Sequence, residues 1–417
     1  MKKEELYSPY FHNVVASRKK IFLGSLCDYF LVFILTTVLY TLVGSSILSS
    51  LPITKSNNEA MASSNTSLRK IVGETHIQTY NEEEDSLTSV ETMAKDYIVA
   101  LAKTSYYVNG DLLFPVSSTE KVTLSEGDTF LNEENKGYDL NPLAYYFCSF
   151  KAQHEELNFY TYDGVDYSSD KKKGLYEYAF GYTSGSYSSF FEEKAKNLSQ
   201  YETLTLAKAK SITDYLYYGD SGASSVYSAL SKAYNNASKK FVEEVESKYQ
   251  AYINEQARFN EAYGNSTLGY LLTLYLTYAL SFVILEIIPV FNKRKVTIGY
   301  YVHKLAYAKE NETNPKWYQF LLKSLIRFFL YLSSPALLLL LFSQWGLLFY
   351  SFGFFRFIYL VAFSLILLLV SNILMLNNKN HQGIAELGSA LLLKDTDELE
   401  ANDPEFAKKE NDQHGKQ

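Results

Sequence analysis

Cysteine and tryptophan each occur only twice in 417 residues, methionine four times and histidine six. With so few soft and imidazole ligands, and no C-x-x-C or H-E-x-x-H spacing, the chain cannot assemble a zinc site of known pattern. It also lacks a glycine-rich phosphate loop and a recognisable nucleophile and base pair, so the expectation is no enzyme, no cofactor, no metal and no nucleic-acid partner. Charged residues make up only 20% of the chain, with a formal net charge of -7, while 47% is apolar. As averages these figures describe an acidic soluble protein.

Long apolar runs overturn that average. They fall at 21–48, 268–291, 321–343 and 346–376. Each exceeds the roughly 20 residues that cross a hydrocarbon layer of about 30 Å at helical rise. The first is too long for the apolar part of a signal peptide and contains Asp28, so it reads as a retained span. Lys2, Lys3, Arg18, Lys19 and Lys20 precede it, and Lys293, Arg294, Lys295, Lys304, Lys309 and Lys316 follow the second run. Lysine and arginine concentrate on the cytoplasmic side. The expected layout is therefore a cytoplasmic arm 1–20, a span 21–48, an extracytoplasmic domain 49–267, a span 268–291, a cytoplasmic loop 292–320, spans 321–343 and 346–376, and a cytoplasmic tail 377–417. This is an α-helical membrane protein of the plasma membrane, multi-pass with both termini cytoplasmic. Its four-span helical bundle carries a mainly helical α+β extracytoplasmic domain.

Charge divides along the same lines. Residues 51–267 hold 20 Lys plus Arg against 31 Asp plus Glu, net -11, and the remainder is net +4. Cys27 lies in the first span and Cys148 in the large domain, so no internal disulfide is expected.

Within that domain, 54–89 is rich in Ser, Asn, Thr and Glu and reads as a flexible tether. From Leu87, apolar residues at Val90, Met93, Ala94, Tyr97, Ile98 and Leu101 have helical spacing. The stretch 107–150 reads as loop or short strand. Aromatic and polar residues alternate through Phe159, Tyr160, Tyr162, Tyr167, Tyr176, Tyr178, Phe180 and Tyr182, around an Asp163-Gly164 turn. That pattern suggests two strands whose aromatics form either a core or a platform for sugars or peptides. The trio Asp163, Asp166 and Asp170 lacks the spacing of a calcium loop. Helical patterning resumes from Ser189, with an interruption near Gly219. It ends in a stripe of Val226, Leu230, Ala233, Tyr234, Ala237, Phe241, Val245 and Tyr249, leaving Glu243, Glu244 and Lys248 off the apolar face.

Ionisable residues inside spans are costly and mark function. Asp28, Glu286 and Arg327 lie about 12, 9 and 10 Å from the cytoplasmic ends of their spans at 1.5 Å per residue. Two acids and one base at a shared depth make either a salt bridge that docks the helices or a site that exchanges a proton or small cation. Pro289 favours the site, because it frees a backbone carbonyl nearby. Arg356, about 15 Å into the last run by the same rise, has no acid at its level and no assigned role. Lys323 falls at an edge.

Four short segments occur in an order that resembles the RDD family of bacterial membrane proteins: Lys20 to Asp28 in the first span, Arg294 to Tyr300 in the loop, Leu325-Ile326-Arg327 in the third span, and His381 to Ala385 in the tail. Together the matching regions, 18–48 and 268–392, cover a little over a third of the chain. The loop's Asp-Gly is here Arg294-Lys295 and the closing Asp is Gln382. The resemblance implies a small helical membrane domain with a role in transport, with Asp28 and Arg327 as the residues carried over. Two functions stay open: a transport-like or ion-coupled bundle, dimeric because four helices are few, or a non-transporting anchor. In the second, the extracellular domain binds a partner protein or ligand. The lipid bilayer is the partner common to both.

Overall fold

The computed structural model describes residues 15–130, 142–181, 204–291, 296–309, 315–341, 344–352 and 355–398. Several expectations, for the basic arm 1–14, Tyr182, the helical pattern at 189–203 and the basic run 292–295, lie outside the described residues. The main helices are α1 (Arg18–Leu39), α2 (Pro52–Glu74), α3 (Val90–Val108), α4 (Leu206–Tyr218), α5 (Ser224–Lys248), α6 (Gln250–Phe282), α7 (Ile298–Val302), α8 (Trp317–Leu330), α9 (Ser334–Leu341), α10 (Phe357–Asn377) and α11 (Ile384–Ser389). Two five-residue strands, β1 (Leu305–Lys309) and β2 (Leu391–Asp395), pair antiparallel with Leu391 opposite Lys309. The chain divides into two compact units: Met1–Asn58 with Tyr263–Gln417, and the inserted Glu59–Ala262.

Four helical stretches are long and apolar enough to cross a membrane: Arg18–Ser50, Gln250–Ile287, Trp317–Leu341 and Phe357–Asn377. The Ser17 side chain caps α1 by accepting the Lys20 N–H. The hydroxyls of Thr36 and Thr37 on α1, and of Thr41 in the π turn that follows it, donate to carbonyls one turn back, so none of the three is left unsatisfied in the apolar stretch. After α6 the backbone passes through a π turn, Val283–Ile287, and a 3₁₀ turn, Ile288–Phe291, that holds Pro289. Such π turns recur at functional sites.

The third run is not one continuous helix. It breaks at residues 331–333 between α8 and α9, where Pro335 sits in the first turn of α9. The break stays satisfied because the Ser364 hydroxyl of α10 accepts the Ser333 N–H at 2.9 Å and donates to the Leu330 carbonyl at 2.7 Å. Irregular backbone survives at membrane depth only where protein supplies such partners.

The fourth run also departs from expectation. A 3₁₀ turn, Trp345–Phe349, and a small hairpin, Ser351–Phe352 with Phe355–Arg356, precede α10. Arg356 is therefore the N-cap residue of α10 in extended conformation and is exposed, not ten residues inside a span. Only Phe357, Val361, Ser364 and Met375 of α10 are buried, while Phe363, Leu365, Ile366 and Leu369 face outward. A helix apolar on all sides yet so uncovered suits lipid better than water.

The inserted unit has its own core, in which α3 packs against α4 and α5. The expected helix from Leu87 is α3, capped by the Ser89 side chain. Gly219, with φ 72°, ends α4 in the left-handed region that glycine adopts freely. On α5 the stripe from Leu230 to Val245 is buried as expected, but Glu244 is buried with it. Two other expectations fail. The proposed tether is mostly the helix α2, followed by a short hairpin, Tyr80–Asn81 with Ser86–Leu87. The two aromatic strands reduce to the two-residue pairing of Thr161–Tyr162 with Val165–Asp166, turned by Asp163 and Gly164 at φ 50° and 81°. Beyond it, Leu175–Ala179 is a π turn. Tyr160, Tyr162, Tyr167, Tyr176 and Phe180 are buried, so they build core and not a platform. The carboxylates of Asp166 and Asp170 accept the backbone N–H groups of Ser168 and Lys173.

Candidate functional site

Asp28, Glu286 and Arg327 come together in the first unit. The Arg327 Nη1 donates to Asp28 Oδ2 at 3.1 Å and to both oxygens of Glu286, at 3.0 and 3.3 Å. Its Nη2 donates to the Tyr300 hydroxyl and to Glu386 Oε1, the latter at 3.5 Å. The guanidinium also lies 4.4 Å from the centre of the Tyr300 ring. One side chain of α8 thus ties α1, the π turn after α6, α7 and α11 together. Arginine suits this role because its planar group offers five donors and stays charged.

Each acid is held differently. Asp28 projects from α1 onto the start of α7, where its Oδ1 accepts the Gly299 N–H at 2.7 Å and its Oδ2 accepts the Thr297 hydroxyl at 2.5 Å. Thr297 is the N-cap of α7 but makes no cap bond of its own, so the Asp28 carboxylate supplies the cap from another helix. That approach requires glycine. A Cβ on Gly299 would meet the Gly24 carbonyl and would lie 2.7 Å from Asp28 Oδ1. Glu286 is fully buried, aimed inward by the π turn. Glu386, 5% exposed, follows the segment 381–385 on α11 and also accepts from Tyr300.

Lys323 completes the group. It lies one turn before Arg327 on α8, is fully buried, and places its Nζ 3.9 Å from Glu286 Oε2. It is not an edge residue. The centre therefore contains three carboxylates and two cations, net -1 when all are ionised, inside a unit built from membrane-length helices. At an effective dielectric of 20, two unit charges 4 Å apart interact by about 4 kcal/mol, so these groups respond strongly to one another. Among the described residues no group of three or more His, Cys, Asp and Glu side chains is arranged to hold a metal ion. What the geometry shows is a buried network of ion pairs.

Arg356 takes no part. Residues absent from the expected site but present in the structure are Glu386, Lys323, Tyr300, Thr297 and Gly299. Three of these, Thr297, Gly299 and Tyr300, stand in the loop segment already singled out by its resemblance to a known motif, which was the available signal for them.

A second buried polar group lies in the core of the inserted unit. Glu244 of α5 accepts from Lys151 Nζ at 2.8 Å, from Tyr162 at 2.7 Å and from Tyr146 at 3.1 Å. Lys151 also donates to the Tyr162 hydroxyl and sits 4.2 Å from the Phe159 ring centre. Burial pulls the Lys151 ammonium below the usual lysine range, opposed by the Glu244 charge. Burial first, and then the same carboxylate, push the Tyr146 and Tyr162 hydroxyls up. With each member partnered, the group reads as a satisfied core network. No protein-family model, curated protein or solved structure matches the chain.

Proposed function

We propose that the chain is an RDD-like integral protein of the plasma membrane with an ion-coupled role, in which the buried centre of Asp28, Glu286 and Arg327 exchanges a proton. In this reading both termini are cytoplasmic and the inserted unit is extracytoplasmic, as the distribution of Lys and Arg suggests. One observation carries it. Three carboxylates are buried with only two cations among membrane-length helices, leaving one negative charge that a proton would neutralise. Asp28 accepts hydrogen bonds from three residues, whereas those given to Glu286 come from Arg327, with the Lys323 ammonium 3.9 Å away. We assign the change of protonation to Glu286 because it is fully buried between the two cations, Arg327 and Lys323.

The second reading is a non-transporting anchor for an extracellular domain that binds a partner protein or ligand. It is favoured by the separate core of the inserted unit and by the way Arg327 ties four elements together. Proton flux into liposomes holding the full chain separates the two. The first reading expects flux that Glu286→Gln and Asp28→Asn abolish. Flux no greater than in empty liposomes would leave the anchor.

A further inference from the structure

We infer that Lys323 is the relay through which protons reach and leave Glu286. The inference rests on the reading of the centre as a proton exchanger. Among the five charged groups of the centre, Lys323 alone makes no hydrogen bond: its Nζ is buried without a partner. The nearest carboxylate oxygen is Glu286 Oε2 at 3.9 Å, a little over one ångström beyond hydrogen-bond length. The ammonium is also 4.6 Å from the ring centre of Tyr307 on β1, and the Tyr307 hydroxyl is likewise buried without a partner. The other charges acting on it are Arg327 on its own helix, Glu386 on α11 and Asp28 on α1.

An ammonium buried without hydrogen bonds costs several kcal/mol. Arg327 cannot shed its charge, and both of its terminal nitrogens are engaged in hydrogen bonds. Lysine can, because a desolvated amine loses its proton readily and its flexible stem lets the nitrogen move. A shift of about 1 Å brings Lys323 Nζ within bonding distance of Glu286 Oε2. One N–H bond then breaks, the proton forms an O–H bond on Glu286, and the amine keeps the electron pair. The amine regains a proton from a hydronium ion that must reach it past Tyr307, whose hydroxyl is the other buried polar atom there without a partner. The sum is one proton moved from solvent to Glu286, with Lys323 restored. Release runs the same steps backward.

Lys323→Arg tests the relay, since arginine keeps the charge but cannot give up a proton. With the full chain in liposomes, we expect proton flux to fall at least tenfold, while the melting temperature and the total number of protons taken up after a pH step stay as in the parent. Should arginine fold poorly at this position, Lys323→Ala offers a second test. Its flux should be slow and should recover with added ethylamine but not with tetramethylammonium. Parental flux in Lys323→Arg, or slow flux in Lys323→Ala that ethylamine leaves unchanged, would overturn the relay while sparing the exchanger. Flux absent from the parent, or unchanged by Glu286→Gln, would overturn the exchanger itself and the relay with it.

Discussion

Arg327→Met removes one positive charge and leaves Asp28, Glu286 and Glu386 facing one another. The parent guanidinium bonds to all three acids and to Tyr300, and every one of these groups is buried. Removing one partner of a buried ion pair costs about 3–5 kcal/mol, because the remaining charge loses its compensation. For a unit of about 210 residues, each kcal/mol moves the melting temperature by roughly 2–4 °C, so the expected fall is about 6–20 °C. The assay is thermal unfolding of the full chain in detergent, followed by retention of monodisperse protein. A second substitution sharpens it: Glu286→Gln on top of Arg327→Met removes one of the stranded charges and should recover part of the loss. The two changes then combine to less than their sum, the signature of residues in direct contact. A melting temperature within about 1 °C of the parent, or strictly additive losses, would refute the claim that this ion network holds the helices.

Other outcomes follow from the same geometry. Gly299→Ala should separate α7 from α1 and break the charge-assisted bond from Gly299 N–H to Asp28, worth about 1.5–3 kcal/mol, and thermal unfolding in detergent would read the loss. Ser364→Ala leaves the Ser333 N–H and the Leu330 carbonyl unpartnered at the break between α8 and α9, with an expected cost of about 1–3 kcal/mol by the same assay; Ser364→Thr, which keeps the hydroxyl, should cost less. In the inserted unit, hydrogen bonds from Thr66 and Tyr80, then Arg69, hold the Asp85 carboxyl below its ordinary 3.8. A depressed acid stabilises the fold above the unfolded value and loses that contribution as pH falls through the folded one. Limited proteolysis of the full chain should therefore show segment 59–262 opening as pH drops below 3.8, and Asp85→Asn should flatten that dependence.

The parts of the centre that could be read from sequence were those that broke an apolar pattern. Asp28, Glu286 and Arg327 stand out because a charge inside a run of Leu, Ile and Phe is expensive. Glu386 had no such contrast, lying in a polar segment after the last span, and only the packing of α11 beside α8 brings it to Arg327. Lys323 looked peripheral because α8 begins at Trp317, so position 323 is nearly two turns inside the helix. Arg356 misled for the opposite reason. The apolar run through 346–376 is continuous in composition, yet its first third is a turn and a hairpin. Helix α2 was hard to read because its buried residues are Thr54, Ser64, Leu68 and Val72, half of them polar. Glu244 was missed because the partner that permits its burial, Lys151, is 93 residues away.

The central claim is that the buried centre changes its protonation through Glu286. Counting protons tests it most directly, with the full chain in lipid, a pH-indicating dye in weakly buffered solution and a small pH step. The account predicts that the parent exchanges one proton more per chain than Glu286→Gln does. Equal counts for the two proteins would contradict it.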